Sequence, residues 1–231
     1  MKPIILLFII FSIVLNARVY TFSGGTNNVV QIVAAKILTK AYSRTEVKIK
    51  PVFMPLAESL DRSNKGETDG ELARVKAITK LFPNLLPVPV VIGRVEAIAF
   101  SKNTSLDIKN WNDLDGHKFT IVRGSKFIET ATKKLQKDHV DSFEEAFAKL
   151  AKDETEMIVI PQKAAVRLIL QKEYKDIKPV SSSLQTLSLY HFVHKKNAHL
   201  IPIITPVLLK MQKSGEIKYI TNAYLRSITL R

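Results

Sequence analysis

The stretch Gly66-Glu-Thr-Asp-Gly-Glu-Leu-Ala-Arg-Val75 packs two glycines, three carboxylates and one arginine into ten residues. Two interpretations account for this mixture. A strand that ends here would present Arg74 to a ligand, whereas a turn followed by a solvated helix would leave the arginine on the surface. Residue types alone favour the turn, so the flanking sequence has to decide.

The N-terminus has the pattern of a secretory signal peptide. Lys2 is followed by an apolar run over residues 3–15 and then by the small residue Ala17. This run is shorter than the roughly 20 residues of a membrane-spanning helix. We therefore expect residues 1–17 to be a signal peptide and the mature protein to be periplasmic and soluble, with an uncleaved anchor as the alternative.

The sequence of 231 residues contains no cysteine. An exported protein without cysteine is not a lipid-anchored lipoprotein, and no disulfide framework supports its fold. The length that remains after the signal peptide suffices for one large domain or for two lobes, each with its own core. Packing of these cores must therefore supply the stability.

The positive charge is concentrated at the two ends of the chain. Formal net charge is +14, with a sequence pI of about 9.8. Basic residues number 12 against 7 acidic ones in residues 18–100, 15 against 13 in 101–185, and 7 against 1 in 186–231. A basic surface can attract nucleic acid, anionic lipid or acidic ligands. Export, and the lack of an arginine-rich run, argue against nucleic acid as a partner.

Hydrophobic periodicity predicts strands and helices in alternation. Alternation with period two marks strands, and apolar residues at offsets of three and four mark helices. In the first half, strands are predicted at residues 18–22, 46–52, 68–73 and 85–100, and helices at 26–41, 55–65 and 74–82. In the second half, strands are predicted at 118–122, 139–140, 157–160 and 187–193, and helices at 125–137, 142–151, 161–172 and 200–211.

This order predicts an α/β protein with two lobes and a crevice between them. Strands joined by helices of this length form parallel sheets through right-handed crossovers. Ligands of such sheets bind beyond the carboxyl ends of the strands. The turns Ser23-Gly24-Gly25 and Arg123-Gly124-Ser125 each follow a predicted strand and are expected at the crevice.

Three stretches in this order resemble the exported solute-binding proteins of the family-three type, the group of the amino-acid-binding proteins. The opening stretch resembles the Gly-x-x-Asp-Gly segment of their first lobe. Asn110-Trp-Asn-Asp-Leu-Asp-Gly-His-Lys-Phe-Thr-Ile-Val-Arg-Gly-Ser125 resembles their lead into the second lobe. Leu189-Tyr-His-Phe-Val-His-Lys-Lys196, followed by a helix with Met211-Gln-Lys-Ser-Gly-Glu-Ile217, resembles their return to the first lobe.

The resemblance implies a two-lobed type II periplasmic-binding-protein fold, with mainly parallel sheets flanked by helices and two crossing strands between the lobes. We place the crossing strands near residues 98–102 and 184–190. Lobe one would then comprise residues 18–100 plus 186–231, and lobe two residues 101–185.

The resemblance also implies a ligand site at the crevice. In the family, an arginine of lobe one and a Gly-Ser or Gly-Thr turn of lobe two hold a carboxylate, and an acidic residue of lobe two holds the amino group. Here the corresponding part of lobe two reads Val159-Ile-Pro-Gln162, without a carboxylate, so a small polar or anionic ligand without an amino group is expected. The predicted ligand-binding residues are Ser23, Gly24, Glu71, Arg74, Arg123, Gly124, Ser125 and Gln162.

Several of these residues also have purely structural interpretations. Arg74 either clamps the ligand or forms a salt bridge with Glu71 or Glu67. The turn at Gly124 and Ser125 either binds an anion or only begins a helix. His191 and His194, three apart on a strand, point to opposite faces, which argues against a shared metal.

The expected function is solute binding by hinge closure. The sequence lacks a nucleophile elbow, a Walker loop and a His-Glu-x-x-His helix, so we expect no enzyme, no cofactor and no metal. The expected partners are a small-molecule ligand and a membrane permease or sensor that recognises a monomer. The alternatives are a lyase-like enzyme on the same scaffold and a basic envelope protein that docks on anionic lipid.

Overall fold

The computed structural model describes residues 18–229. The signal peptide predicted for residues 1–17 lies outside the described residues.

The first half of the chain alternates strands and helices as predicted. The elements are β1 (Val19–Gly25), α1 (Val29–Tyr42), β2 (Lys48–Met54), α2 (Leu56–Lys65), β3 (Gly70–Val75) and β4 (Leu85–Ser101). The side chain of Asn28 caps α1 by accepting a hydrogen bond from the Val30 amide. Gly66 ends α2 in the left-handed conformation, at φ 78°, as the sequence predicts.

The second half continues the alternation and then adds two helices. The elements are β5 (Phe119–Val122), α3 (Lys126–Ala131), β6 (Asp138–Val140), α4 (Phe143–Ala151), β7 (Met157–Pro161), α5 (Gln162–Ala165), β8 (Lys178–Pro179), β9 (Gln185–His194), α6 (Leu200–Lys213) and α7 (Glu216–Thr229). Pro206 lies inside α6, six residues after the helix begins at Leu200.

The strands form one continuous sheet in the order β2-β1-β3-β9-β4-β7-β5-β6, with β8 paired to β4. At one end, β1 pairs in parallel with β2 and β3. At the other end, β5 pairs in parallel with β6 and β7. The predicted α/β fold is therefore confirmed, but the predicted mainly parallel sheets are joined into one mixed sheet, in which β3 pairs antiparallel with β9, and β4 with β7 and β9.

β4 and β9 are the two crossing strands that join these parallel regions. They pair antiparallel from Leu85 opposite His194 to Ala97 opposite Gln185. From Ala97 to Ser101, β4 pairs instead with β7 of the second lobe. The crossing residues predicted near 98–102 and 184–190 correspond to the end of β4 and the start of β9.

Each lobe has buried apolar clusters of its own. One cluster gathers residues of α1, β3 and α6, including Ile37, Leu72 and Leu208. Two further clusters cover the two faces of the sheet around β5 and β7, with Phe147 in one and Phe119 in the other. Phe119 is fully buried, and Trp111 packs partly buried on the same cluster.

Three predicted helices were wrong in whole or in part. Residues 74–82 are not an α-helix, since Arg74 and Val75 complete β3 and only a 3-10 helix, Lys76–Lys80, follows. The helix at 125–137 stops at Ala131, where Lys137 Nζ donates to the carbonyls of Thr132 and Leu135 and stabilises turns instead. The helix at 161–172 is α-helical only in α5.

The last helix, α7, was missed. Gly215 at φ 77° ends α6 as predicted, but the chain re-enters a helix at once. Ile217 is buried, and Ile220, Tyr224 and Ile228 pack partly buried against the lobe-one cluster. Their spacing of three and four is a helical signal in the sequence.

Candidate functional site

The stretch that contains Arg74 is a buried strand with an irregular register. All six residues of β3 are buried. The antiparallel register with β9 shifts between Glu71 and Arg74. In a regular strand, residues three apart face opposite sides. The shift brings both side chains together, with Arg74 Nε 2.6 Å from Glu71 Oε2.

The Glu71 carboxylate is completely buried and fully paired. Its Oε1 atom accepts hydrogen bonds from the hydroxyls of Ser59 at 2.6 Å, Ser63 at 2.9 Å and Ser23 at 3.1 Å. Its Oε2 atom forms a salt bridge with the Arg74 guanidinium. A buried charge costs several kcal/mol unless it is paired and hydrogen-bonded. We call these five residues the Glu71 network.

Arg74 also connects the two lobes. One terminal guanidinium nitrogen donates to the Leu56 carbonyl at 2.9 Å, at the start of α2. The other donates to the Gly124 carbonyl at 3.2 Å, in the turn after β5. Arg74 therefore forms a salt bridge with Glu71, which was the structural alternative to a ligand clamp, and it also reaches the crevice.

The Gly124 turn lies directly on the first lobe. Gly124 has φ +84°, and a Cβ atom added there would lie 2.5 Å from the Ala57 amide nitrogen and 2.6 Å from the Leu56 carbonyl carbon. Only glycine fits this close backbone approach without displacement. The contact holds the start of α2 against the second lobe.

The backbone amide of Gly124, in the turn for which anion binding was one interpretation, already donates a hydrogen bond within the chain. Gly124 N–H donates to Glu129 Oε1 at 2.7 Å, and Glu129 Oε2 pairs with Lys126 Nζ at 2.6 Å. Glu129 lies in the first turn of α3, where a carboxylate is favoured by the free amides. An anion at this turn would have to displace an intramolecular carboxylate.

A cavity of about 50 Å³ lies between the lobes beside Arg74. Gln31 and Ser125, each 4% exposed, are among the residues that line it. Gln31 Nε2 donates to the Ala73 carbonyl at 2.8 Å, but Gln31 Oε1 and Ser125 Oγ accept or donate no hydrogen bond within residues 18–229. Buried polar atoms are rarely left without a partner unless water or a ligand supplies one.

A second cavity of about 230 Å³ adjoins the first. The two share four lining residues, Val75, Ile78, Lys126 and Phe127. The second cavity is otherwise lined mainly by apolar side chains, including Leu81 and Leu187.

Five of the eight predicted site residues line neither cavity, namely Ser23, Gly24, Glu71, Arg123 and Gln162. Arg123 is exposed and its guanidinium is 3.5 Å from Asp141. Gln162, at the start of α5, is exposed and lines neither cavity. Gly24 contributes space, because a Cβ atom there would lie 2.7 Å from Gln31 Oε1.

Sequence reasoning missed Gln31, Ser59 and Ser63. The two serines are four residues apart and therefore share one face of α2, and both are fully buried. Two hydroxyls on the inward face of an otherwise amphipathic helix were the available signal. Gln31 interrupts the apolar face of α1 in the same way.

His191 connects the backbone of Glu71 to Tyr42 through hydrogen bonds. Its Nδ1 atom is 2.8 Å from the Glu71 carbonyl oxygen, and its Nε2 atom is 3.1 Å from the Tyr42 hydroxyl. Burial lowers the pKa of His191 to about 4, so the ring is neutral, donates through Nδ1 and accepts through Nε2. Burial also raises the pKa of Tyr42, which stays a hydroxyl.

Residues 18–229 contain no group of three His, Cys, Asp or Glu side chains that could hold a metal ion. No helix in this range has the length and apolar character needed to cross a membrane.

The two lobes, the crossing strands and the crevice define the class: the chain has the periplasmic-binding-protein fold of type II. No protein-family model matches the sequence. An uncharacterised protein of Shewanella oneidensis is 22% identical over 191 residues, which cover 79% of this chain and 72% of that protein.

Solved structures share the fold at low sequence identity. A mutant of ArgBP from T. maritima has a TM-score of 0.76 at 15% identity and covers 90% of this chain and 95% of its own. A histidine kinase sensor domain has a TM-score of 0.77 at 15% identity, with 90% and 96% covered. The GluR0 ligand-binding core with L-glutamate has a TM-score of 0.76 at 14% identity, with 91% and 99% covered. The resemblance to solute-binding proteins is thus confirmed at the level of the fold.

Proposed function

We propose that the protein is an exported solute-binding protein that captures a small ligand between its lobes by hinge closure. The observation that carries this proposal is the position of Arg74, which spans the crevice from the Glu71 network to the Gly124 carbonyl. A group that contacts both lobes favours the closed form, and a ligand that does the same would shift the equilibrium further.

The buried clusters are consistent with the proposed lobes, residues 18–100 plus 186–231 and residues 101–185. Leu56 of α2 packs on a cluster of the second lobe, and Phe127 of α3 packs on the cluster of the first. These two side chains separate from their neighbours when the lobes open. The cavity beside Arg74 is the proposed ligand site.

The proposed role is binding without catalysis. The compared structures are ligand-binding proteins and a sensor domain. Both cations beside the cavities, Arg74 and Lys126, are already held by carboxylates, which leaves the crevice no free acid and base pair. The proposed partner is a membrane transporter or sensor that recognises the closed monomer.

A thermal-shift screen tests this proposal. The purified protein is heated with amino acids, dicarboxylates, sugars, nucleosides and phosphorylated metabolites, and a ligand of the native state raises the unfolding midpoint. We expect one class to do so in the wild type and to lose most of its effect in Arg74→Lys, which keeps a charge beside Glu71 but cannot reach both carbonyls.

Arg44→Lys is the matched control. Arg44 pairs with Glu216 on the outside of the first lobe, so this variant should respond to the ligand as the wild type does. The proposal fails if no ligand shifts the wild type, or if Arg74→Lys and Arg44→Lys respond alike.

Export is tested separately by expression in a bacterial host. We expect the protein in the periplasmic fraction with an N-terminus at or near Arg18. A protein retained in the membrane fraction with Met1 intact would favour the uncleaved anchor.

A further inference from the structure

The charges around the two crevice cavities are balanced within the chain. Among the described residues, the cavity linings contain the cations Arg74 and Lys126 and no carboxylate. Each cation is nevertheless paired, Arg74 with Glu71 and Lys126 with Glu129, both at 2.6 Å. A ligand in the crevice therefore meets hydrogen-bonding groups and apolar surface but no uncompensated charge.

Neither end of a zwitterion finds a partner here. An ammonium group would need an acceptor carboxylate, but Glu71 is buried behind Arg74 and its Oε1 atom already accepts three hydroxyls. A carboxylate would meet a guanidinium whose charge Glu71 already neutralises, or would have to compete with Glu129 for the Gly124 amide. Bringing an ion into such a site costs its hydration without a new ion pair in return.

The two unpaired polar atoms specify what the ligand must offer. Gln31 Oε1 is an acceptor, because Nε2 of the same amide is fixed by the Ala73 carbonyl. It requires an N–H or O–H donor from the ligand. Ser125 Oγ can donate or accept, and it can complete the pairing of a carbonyl or hydroxyl oxygen.

The two cavities differ in size and would hold different parts of a ligand, a small polar head and a larger tail. The cavity that holds both unpaired atoms measures about 50 Å³, which is the space of one or two waters at roughly 30 Å³ each. It admits one small polar group. The adjoining cavity of about 230 Å³ shares Phe127 and Ile78 with the first and is lined mainly by apolar side chains, so the rest of the ligand is a hydrocarbon part.

We propose that the ligand of this crevice is a neutral molecule with a small polar head that carries both a donor and an acceptor, such as a primary amide, and an apolar tail. The inference rests on the proposed solute-binding function and narrows it. The polar head pairs with Gln31 Oε1 and Ser125 Oγ, and the tail lies against Phe127 and Ile78.

Four probes with the same carbon chain test the head group. Hexanamide is neutral with donor and acceptor, methyl hexanoate is neutral with acceptors only, hexanoate is an anion, and norleucine is a zwitterion. Butanamide and octanamide vary the tail. Titration calorimetry with the purified protein should show hexanamide binding at least about tenfold more tightly than the other three head groups.

Ser125→Ala tests the site without disturbing the fold, because the hydroxyl it removes has no partner and does not cap α3. It should weaken hexanamide several-fold while leaving the weak binding of methyl hexanoate less affected. Gln31→Leu should act in the same direction. Thr120→Val is the matched control, since Thr120 Oγ1 is another buried, unpaired hydroxyl but lines neither cavity; its affinities should equal those of the wild type.

The outcomes separate this inference from the proposed function. If hexanoate or norleucine binds as tightly as hexanamide, the neutral ligand is wrong and solute binding stands. If no amide binds while a charged compound from the broad screen does, with its effect lost in Arg74→Lys, the same conclusion follows. If nothing binds in either experiment, both proposals fail.

Discussion

Two regions of the crevice, the Glu71 network and the turn at Gly124 and Ser125, differ in how completely their polar groups are paired. On the first lobe, Glu71 takes three hydroxyls and a guanidinium, and nothing in that network lacks a partner. On the second lobe, the turn at Gly124 uses its amide on Glu129 and leaves Ser125 Oγ buried and unpaired. The Glu71 network, which we call the first side of the crevice, contributes mainly to stability. The turn at Gly124 and Ser125, which we call the second side, and Gln31 on α1 have buried polar atoms without partners within residues 18–229.

The largest expected effect comes from removing Arg74. Arg74→Ala leaves the buried Glu71 carboxylate without its cation, which should cost about 3–5 kcal/mol of unfolding free energy. Arg44→Ala removes a half-exposed arginine from Glu216 and should cost about 1 kcal/mol or less. Urea denaturation of both variants measures the difference. Equal losses would mean that the Glu71 network is not the stabilising side of the crevice.

Acid should lower the free energy of unfolding through the protonation of His191. Its pKa is about 4 in the folded protein, against roughly 6.5 when unfolded. Between these two pH values the unfolded state therefore binds more protons than the folded state. The free energy of unfolding is highest above roughly pH 6.5 and falls by about 3 kcal/mol through this group as the pH drops towards 4. Denaturation across this range checks the slope, and His191→Gln should make it shallower. An unchanged slope in that variant would refute the assignment to His191.

Serine substitutions compare the two sides directly. Ser63→Ala removes one of three hydroxyls from a buried carboxylate and should cost about 1.5–3 kcal/mol. Ser125→Ala removes a hydroxyl that has no partner and should change the stability little. If both cost the same, the contrast between a paired and an unpaired side is wrong.

A glycine substitution tests how closely the two sides meet. Gly124→Ala adds the strain of a positive φ, about 1–2 kcal/mol, and a Cβ atom that collides with the backbone of residues 56 and 57. Gly116→Ala adds the strain alone, because φ is +79° and nothing lies within 4 Å. Only Gly124→Ala should increase the radius of gyration in small-angle scattering, since opening the lobes relieves its clash. A similar radius in both variants would contradict the contact.

The sequence by itself determined the local order of this protein. Apolar residues three and four apart predicted α1, alternation predicted β2, and Gly66 predicted the end of α2, because these signals depend on neighbours along the chain. The two lobes and their crossing strands followed from the order of these elements together with the family resemblance. A salt bridge of Arg74 with Glu71 or Glu67 was one of two alternatives that the sequence left open, and the structure has the pair with Glu71.

Only the tertiary structure decided what the crevice contains. A register shift against β9 keeps Arg74 in a strand, although the local sequence predicts a helix there. Apart from each other, the side chains of Glu71 and Arg74 have partners 8 to 50 residues away, such as Ser63 and Gly124. Such pairings depend on how helices and sheets pack in space, and this packing also decides which buried polar atoms, like Gln31 Oε1, have no partner within residues 18–229.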